Sequence, residues 1–306
     1  MPHHLILGTR SSPMAIAVAE HARALLQAAH PNLTIDVRGF LSDGDKNLGD
    51  LSSIGGKGAF VKDLERRLLA HEIDCVIHAL KDFPGDIPMH PDLQLACFIT
   101  REDPRDALVM LPGTALPESG APLTLATSSP RRQALLRQMY PQVNIITLRG
   151  NVNSRFDKLQ RGAFDGMVLS VAGLGYLGLR DRAVKIYEPD EMLPSVGQGV
   201  LCLQVRREDM ARCSFLRSIN HTLTETTVRA ERAMLAVLQG NCHSAIAGYC
   251  VPDGDHLSMR ALVSSPDGTT IVRAALQQSM AEVPEFLGRD VGAALLAQGA
   301  GALIAA

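Results

Sequence analysis

Two stretches of the chain follow one strand–turn–helix plan, and this repetition restricts the fold more than any other feature. Leu7-Gly8-Thr9-Arg10-Ser11-Ser12-Pro13 has a counterpart in Leu125-Ala126-Thr127-Ser128-Ser129-Pro130. His30-Pro31-Asn32-Leu33-Thr34-Ile35 matches Tyr140-Pro141-Gln142-Val143-Asn144-Ile145, and both runs continue to an Arg-Gly pair, Arg38-Gly39 and Arg149-Gly150. Asp74-Cys75-Val76-Ile77-His78-Ala79 matches Asp165-Gly166-Met167-Val168-Leu169-Ser170. Three matches in the same order predict two similar α/β domains, a class that binds ligands beyond the carboxyl ends of its strands.

Local signals agree with that plan. The apolar run Leu5-Ile6-Leu7 ends at Gly8, and Ser12-Pro13 opens a helix with Ser as N-cap and Pro at the first helical position. Ala15, Val18, Ala22 and Leu25 follow at helical spacing, Pro31 stops the helix, and Thr34 to Phe40 reads as a strand. A second helix is predicted from Phe60 to Ala70, with Val61, Leu64 and Leu68 on one face, leading into the strand Cys75 to His78. Alternating strands and helices favour a mainly parallel sheet.

Two links break the pattern. Arg101-Glu102-Asp103-Pro104-Arg105 is polar and contains Pro, and Met192-Leu193-Pro194-Ser195-Val196-Gly197-Gln198-Gly199 resembles a second crossing. The strand Val200 to Val205 is therefore expected to return to the first domain. The expected division is residues 1–100 with 198–219 as a discontinuous N-terminal α/β domain, 101–197 as a central α/β domain, and 220–306 as a smaller C-terminal α+β domain. The last opens with a helix from Glu225 to Gln239, then Gly240-Asn241-Cys242, then short runs separated by Pro252-Asp253-Gly254 and Pro266-Asp267-Gly268.

Composition narrows the function classes. A formal net charge of −2 over 306 residues gives no general attraction to nucleic acid or anionic membranes. With no Trp, four Tyr and eight Phe, base-stacking platforms are not expected. The six cysteines include no C-x-x-C pair, which argues against a disulfide scaffold and a structural zinc site. No secretory signal or membrane span is apparent, so a reduced, cytoplasmic enzyme is expected; it is separately expected to be a monomer.

The charges are placed unevenly. Arg10 precedes a Ser-Pro helix start, Arg131 and Arg132 fall in the first turn of the matching helix, and Arg149 and Arg155 flank Gly150-Asn151-Val152. If the repeat holds, these side chains converge on one interdomain cleft, and planar guanidinium forks suit a polycarboxylate. Ser52-Ser53-Ile54-Gly55-Gly56-Lys57-Gly58 reads as a lid or a plain surface loop, and it does not satisfy the P-loop pattern. His78-Ala79-Leu80-Lys81-Asp82-Phe83-Pro84 follows an apolar strand, which puts Lys81 and Asp82 where cleft residues sit. Asp82 is either a turn aspartate before Pro or an acid that protonates a leaving amine and stabilises a cation. Cys242 is either a packing thiol or, in a loop near a helix end, a nucleophile.

The strings Gly55-Gly56-Lys57-Gly58, His78 with Lys81-Asp82, Arg101 to Asp106, Thr127-Ser128-Ser129 with Arg131-Arg132, Leu148-Arg149-Gly150-Asn151-Val152 and Leu193-Pro194 with Gly197-Gln198-Gly199 occur in order. Together they resemble the porphobilinogen deaminase (hydroxymethylbilane synthase) family. The resemblance implies three domains, the first two like periplasmic binding proteins around a hinged cleft. It implies a dipyrromethane cofactor on Cys242 through a thioether, and a transferase that joins four porphobilinogens head to tail with loss of ammonia before releasing hydroxymethylbilane. Asp82, with Lys81, would be catalytic, Asp82 stabilising positive charge as the azafulvene forms. Cys242, Ser12, Lys81, Asp82, Ser129, Arg131, Arg132 and Arg155 would hold the cofactor. Arg10, Lys57, Arg149 and Arg155 would hold substrate carboxylates. No metal, nucleic acid or membrane is implied.

Some positions depart from the family pattern. Val18 stands where Gln is common, Ser53 where Lys is, and Ala79 where Ser is. Gly175-Tyr176 replaces a stretch that ends in Arg, and Asn241, His243, Ser244 and Ala245 alter the surroundings of Cys242. Two other readings follow: a divergent relative that loads the primer but elongates poorly, and a solute-binding protein of the same architecture.

Overall fold

The computed structural model describes residues 4–41, 58–83, 85, 87–240 and 244–305. The Ser52 to Lys57 stretch, Pro84, Asn241, Cys242 and His243 lie outside the described residues. The chain divides into two compact units, Met1–Glu102 with Gly199–Glu225, and Asp103–Gln198 with Thr226–Ala306.

The first unit is built on a five-stranded sheet. Its strands are β1 (His4–Arg10), β2 (Thr34–Phe40), β3 (Cys75–Ala79), β4 (Leu93–Phe98) and β10 (Leu201–Arg206), in the order β2-β1-β3-β10-β4. β1 pairs in parallel with β2 and β3, whereas β10 pairs antiparallel with β3 and β4. Helix α1 (Pro13–Ala29) starts as the sequence predicts: Ser12 caps it by accepting from the Ala15 backbone N–H at 3.3 Å, with Pro13 in the first turn. α1 buries Val18, Ala19, Ala22 and Leu26. Helix α2 (Gly58–Leu69) buries Val61, Leu64 and Leu68.

The second unit contains a sheet of the same design. Its strands are β5 (Asp106–Met110), β6 (Thr124–Ala126), β7 (Asn144–Ile146), β8 (Gly166–Ser170) and β9 (Lys185–Tyr187), in the order β7-β6-β8-β5-β9. β6 pairs in parallel with β7 and β8, and β5 runs antiparallel to β8 and β9. Helices α3 (Pro130–Met139), α4 (Val152–Gln160) and α5 (Val171–Tyr176) are capped by Ser129, Asn151 and Ser170. The internal repeat corresponds to this shared strand order.

In one respect the sheets differ from the sequence expectation: each is mixed rather than mainly parallel. β10 and β5 are the strands that follow the two links, and they enter their sheets without a helical crossover. Parallel pairing depends on such a crossover, so antiparallel pairing is open to them. Their residues are buried throughout, as central strands require.

The same unit carries a three-stranded antiparallel sheet, β11 (Ala245–Asp253), β12 (His256–Ser264) and β13 (Ile271–Ser279), joined in sequence order. It packs with α6 (Thr222–Leu238), α7 (Pro284–Ala297) and α8 (Ala300–Ala305). Ala230, Met234, Ile246, Met259, Val263, Leu287, Val291 and Leu295 form that core. Among the described residues, no helix is long and apolar enough to cross a membrane.

Candidate active site

In the first unit the proposed site residues gather at the carboxyl ends of two paired parallel strands. Arg10 ends β1 and Ser12 caps α1, while Lys81 and Asp82 occupy a one-turn 3₁₀ helix, Leu80–Asp82, directly after β3. This turn is fastened at both ends. The Leu80 N–H donates to the Val200 carbonyl at 2.9 Å, and the Phe83 N–H donates to the Leu80 carbonyl at 3.1 Å. Lys81 and Asp82 are half-buried, so their charges stay within reach of a ligand.

Beneath the turn, His78 is buried. Its Nε2 lies 3.0 Å from Oε1 of Gln204, and its ring packs edge-on against Phe83 with centroids 4.7 Å apart. Burial pushes the His78 imidazole down to about 4, against the opposing pull of the Gln204 hydrogen bond and the Asp82 charge. The ring is therefore neutral at neutral pH.

The second unit gathers the arginines. Ser129 caps α3 by accepting from the Arg132 N–H at 3.4 Å. Arg131 and Arg132, in the first turn of α3, are buried and point at Asp106 on β5. Arg131 donates through Nη2 to Asp106 Oδ2 at 2.7 Å and through Nη1 to the Leu193 carbonyl at 2.8 Å. Arg132 donates through Nη2 and Nε to Asp106 Oδ1 at 2.6 and 3.0 Å, and through Nη1 to the Val168 carbonyl at 2.9 Å. Gln198 donates to the same Oδ1 at 2.9 Å. Burial pushes the Asp106 carboxyl up, but the two guanidinium charges and these hydrogen bonds prevail and hold it at about 2.

Arg155 on α4 donates to the Gly150 carbonyl at 2.9 Å and to Ser128 Oγ at 3.3 Å. Burial and the Arg132 charge push its guanidinium down to about 10, still cationic at neutral pH. Arg149 lies just before Gly150 and is half-buried. Arg131 and Arg132 thus share the single carboxylate of Asp106, and Arg155 adds a third guanidinium whose charge acts on Arg132. Arg131 Nε is buried with no hydrogen-bond partner among the described residues. A buried donor without a partner beside surplus positive charge is a feature that an anion could satisfy.

The remaining thiols are poor nucleophiles. Cys75, Cys97, Cys202, Cys213 and Cys250 are all buried. Burial raises the Cys75 and Cys213 thiols and pushes Cys97 up to about 12.

The comparisons with known proteins bear on the same residues. Residues 5–213 match a family described as porphobilinogen deaminase, dipyromethane cofactor binding domain, and residues 225–297 match its C-terminal domain. The porphobilinogen deaminase of Sorangium cellulosum (strain So ce56) is 41% identical over 299 residues, which cover 96% of this chain and 99% of that protein. That of Acidithiobacillus ferrooxidans is 38% identical over 309 residues, 99% of this chain and 98% of the relative. The chain belongs to the porphobilinogen deaminase family.

It is accordingly a transferase of tetrapyrrole synthesis that acts on porphobilinogen, and its residues 5–213 form the dipyrromethane-binding part. Near full-length identity to porphobilinogen deaminases does not favour the divergent or solute-binding readings. The periplasmic VFT2 domain of Bordetella pertussis BvgS is similar with a TM-score of 0.42 and 17% identity, over 71% of this chain and 86% of that one. The α/β class of the chain rests on its own sheets. The acidic side arms of a dipyrromethane fit the surplus of guanidinium groups around Asp106.

Sequence reading passed over Asp106, Gln198, Gln204 and Glu231. Asp106 and Gln198 lie inside family-like strings but carried no role. Gln204 had a signal of its own, an amide in the apolar strand Leu201 to Val205. Glu231 is a wholly buried carboxylate on α6 that accepts from the backbone N–H groups of Gly197 at 2.7 Å and Cys250 at 2.9 Å.

Proposed function

We propose that the chain joins four porphobilinogen molecules head to tail on a dipyrromethane held by Cys242 through a thioether, and releases hydroxymethylbilane. The family assignment over nearly the whole chain carries this reading. The burial of the other five thiols supports Cys242 as the attachment point.

When bound, the dipyrromethane supplies the pyrrole carbon to which the next unit is joined. The residues do the rest. Arg131, Arg132 and Arg155, with Ser12 and Ser129, would hold its acetate and propionate groups, while Arg10, Arg149 and Lys57 would take those of the incoming pyrrole. Each pyrrole brings two carboxylates, which accounts for the concentration of arginine in a chain of net charge −2. Asp82, as a carboxylate, stabilises positive charge on a pyrrole nitrogen, and as an acid it hands a proton to the departing amine nitrogen. Lys81 beside it adds a cation for a substrate carboxylate. The same reading takes residues 1–100 with 198–219, 101–197 and 220–306 as three domains, and the protein as a cytoplasmic monomer that binds no nucleic acid.

Intact-protein mass tests the proposal. The purified chain is expected to carry one dipyrromethane adduct, lost in Cys242→Ala, and to release hydroxymethylbilane over many turnovers. An adduct that persists in Cys242→Ala would place the attachment elsewhere.

A further inference from the structure

The trio Glu65, Gln204 and His78 lies under the Lys81–Asp82 turn and is unexplained by carboxylate binding. Gln204 is 0% exposed on β10, between Leu203 and Val205, which are also fully buried. Both ends of its amide are used. Nε2 donates to Glu65 Oε1 at 2.7 Å, and Oε1 lies 3.0 Å from His78 Nε2.

The chemistry of the donors fixes the direction of this chain. An ionised carboxylate only accepts, so Glu65 must meet the amide NH2 of Gln204. The amide oxygen then faces His78, and because it too only accepts, the hydrogen of the neutral imidazole must sit on Nε2. One charge on α2 thereby selects one amide orientation on β10 and one tautomer on β3.

His78 is also the residue on which the turn rests. Its ring meets Phe83 edge-on at an interplanar angle of 79°, and Phe83 closes the turn through its N–H bond to Leu80. Lys81 and Asp82 are therefore flanked in sequence by two side chains in mutual contact. Rotation of the His78 ring would break its bond to Gln204 and lift Phe83. Two buried polar side chains, His78 and Gln204, tied to the half-buried Glu65 carboxylate are seldom favoured over apolar packing on stability grounds alone, which points to a role in geometry.

We propose that Gln204 and Glu65 are positioning residues that lock the orientation and tautomer of His78 and, through Phe83, set the position of the Asp82 carboxylate. This rests on the reading of Asp82 as catalytic, and the test separates the two. Full-length protein carrying its cofactor is prepared as Gln204→Leu, Glu65→Leu, Glu65→Gln, the Gln204→Leu/Glu65→Leu pair and Asp82→Asn. For each, kcat, KM for porphobilinogen and Tm are measured, with 15N NMR of the His78 ring.

Gln204→Leu and Glu65→Leu are each expected to lower kcat about tenfold, with KM within about twofold, because the lost contact lies beneath the acid and not at the carboxylate sites. Glu65→Gln, whose amide oxygen still accepts from Gln204, should restore at least half of kcat. The double variant should fall no lower than Gln204→Leu alone, since both changes cut one chain. The His78 ring should be a single Nε2–H tautomer in the wild type and in Glu65→Gln, and a mixture in Gln204→Leu. Unchanged kcat in folded Gln204→Leu would overturn the proposal, as would Glu65→Gln behaving like Glu65→Leu. Should Gln204→Leu not fold, the Glu65 pair and the tautomer decide the matter. Near-normal turnover in Asp82→Asn would remove the catalytic reading of Asp82 itself, whereas a crippled Asp82→Asn beside a normal Gln204→Leu would remove only the positioning role.

Discussion

The Asp106 carboxylate meets the Arg131 guanidinium at 2.7 Å with both groups out of water, Asp106 being 0% and Arg131 3% exposed. Its other oxygen is taken by Arg132 and Gln198. Removing the negative charge would leave two buried guanidinium groups facing each other. Asp106→Asn is therefore expected to destabilise the protein by about 3–5 kcal/mol, the usual cost of breaking a buried pair from one side. Urea unfolding would show it. A loss under about 1 kcal/mol would mean that the Leu193 and Val168 carbonyls alone hold the arginines.

Acid should weaken the fold in two stages. His78 titrates at about 4 in the folded chain against 6.5 when unfolded. Between those values the unfolded state binds the extra proton, so stability falls as pH drops from 6.5 to 4, by on the order of 3 kcal/mol. Asp106 is depressed to about 2 from 3.8. Its contribution is complete above 3.8 and is lost as pH falls toward 2. His78→Gln, which keeps a donor for Gln204 but does not titrate, should flatten the stability profile between pH 4 and 6.5 only. An unchanged slope there would place the proton uptake on another group.

What the sequence made legible, and what it hid, divides by range. The starts of α1 and α3 were readable because Ser12-Pro13 and Ser129-Pro130 act within one turn of themselves. The class and the doubled α/β plan followed from the same local signals repeated in order. The antiparallel strands β5 and β10 were harder, because strand direction is set by partners far away in sequence. Arg131 and Arg132 read as cleft cations, yet most of their hydrogen bonds go to Asp106, 25 and 26 positions upstream. No local pattern reports such a partner. The same holds for Gln204, whose two partners lie 126 and 139 positions away.

Glu231 ties the 193–199 link to the strand that follows Cys242. Each carboxylate oxygen accepts one backbone N–H, from Gly197 and from Cys250. Glu231→Gln keeps the shape but turns an NH2 toward one of those donors, leaving a buried N–H unsatisfied. The expected cost is about 2–3 kcal/mol, with a larger loss for Glu231→Ala. Thermal unfolding of the pair checks this. Equal stability of Glu231→Gln and wild type would show that one backbone bond suffices to hold the link.

Helices α6 and α7 approach so closely at Gly288 that a Cβ built there would lie 2.0 Å from the Ala230 carbonyl oxygen. The obstacle is backbone and cannot swing aside, so the helices would have to move apart. Gly288→Ala should destabilise by about 1–3 kcal/mol or more through overpacking, although Ala is the better helix former. Gly301, in α8, supplies the control, since a Cβ built there would meet only the end of the Leu296 side chain, at 3.8 Å. Gly301→Ala should be neutral or stabilising by up to about 1 kcal/mol. The opposite signs of the two substitutions, read as shifts in Tm, would locate the tight helix contact. A neutral Gly288→Ala would mean that α7 can slide on α6 without disturbing the Leu287, Val291 and Leu295 core.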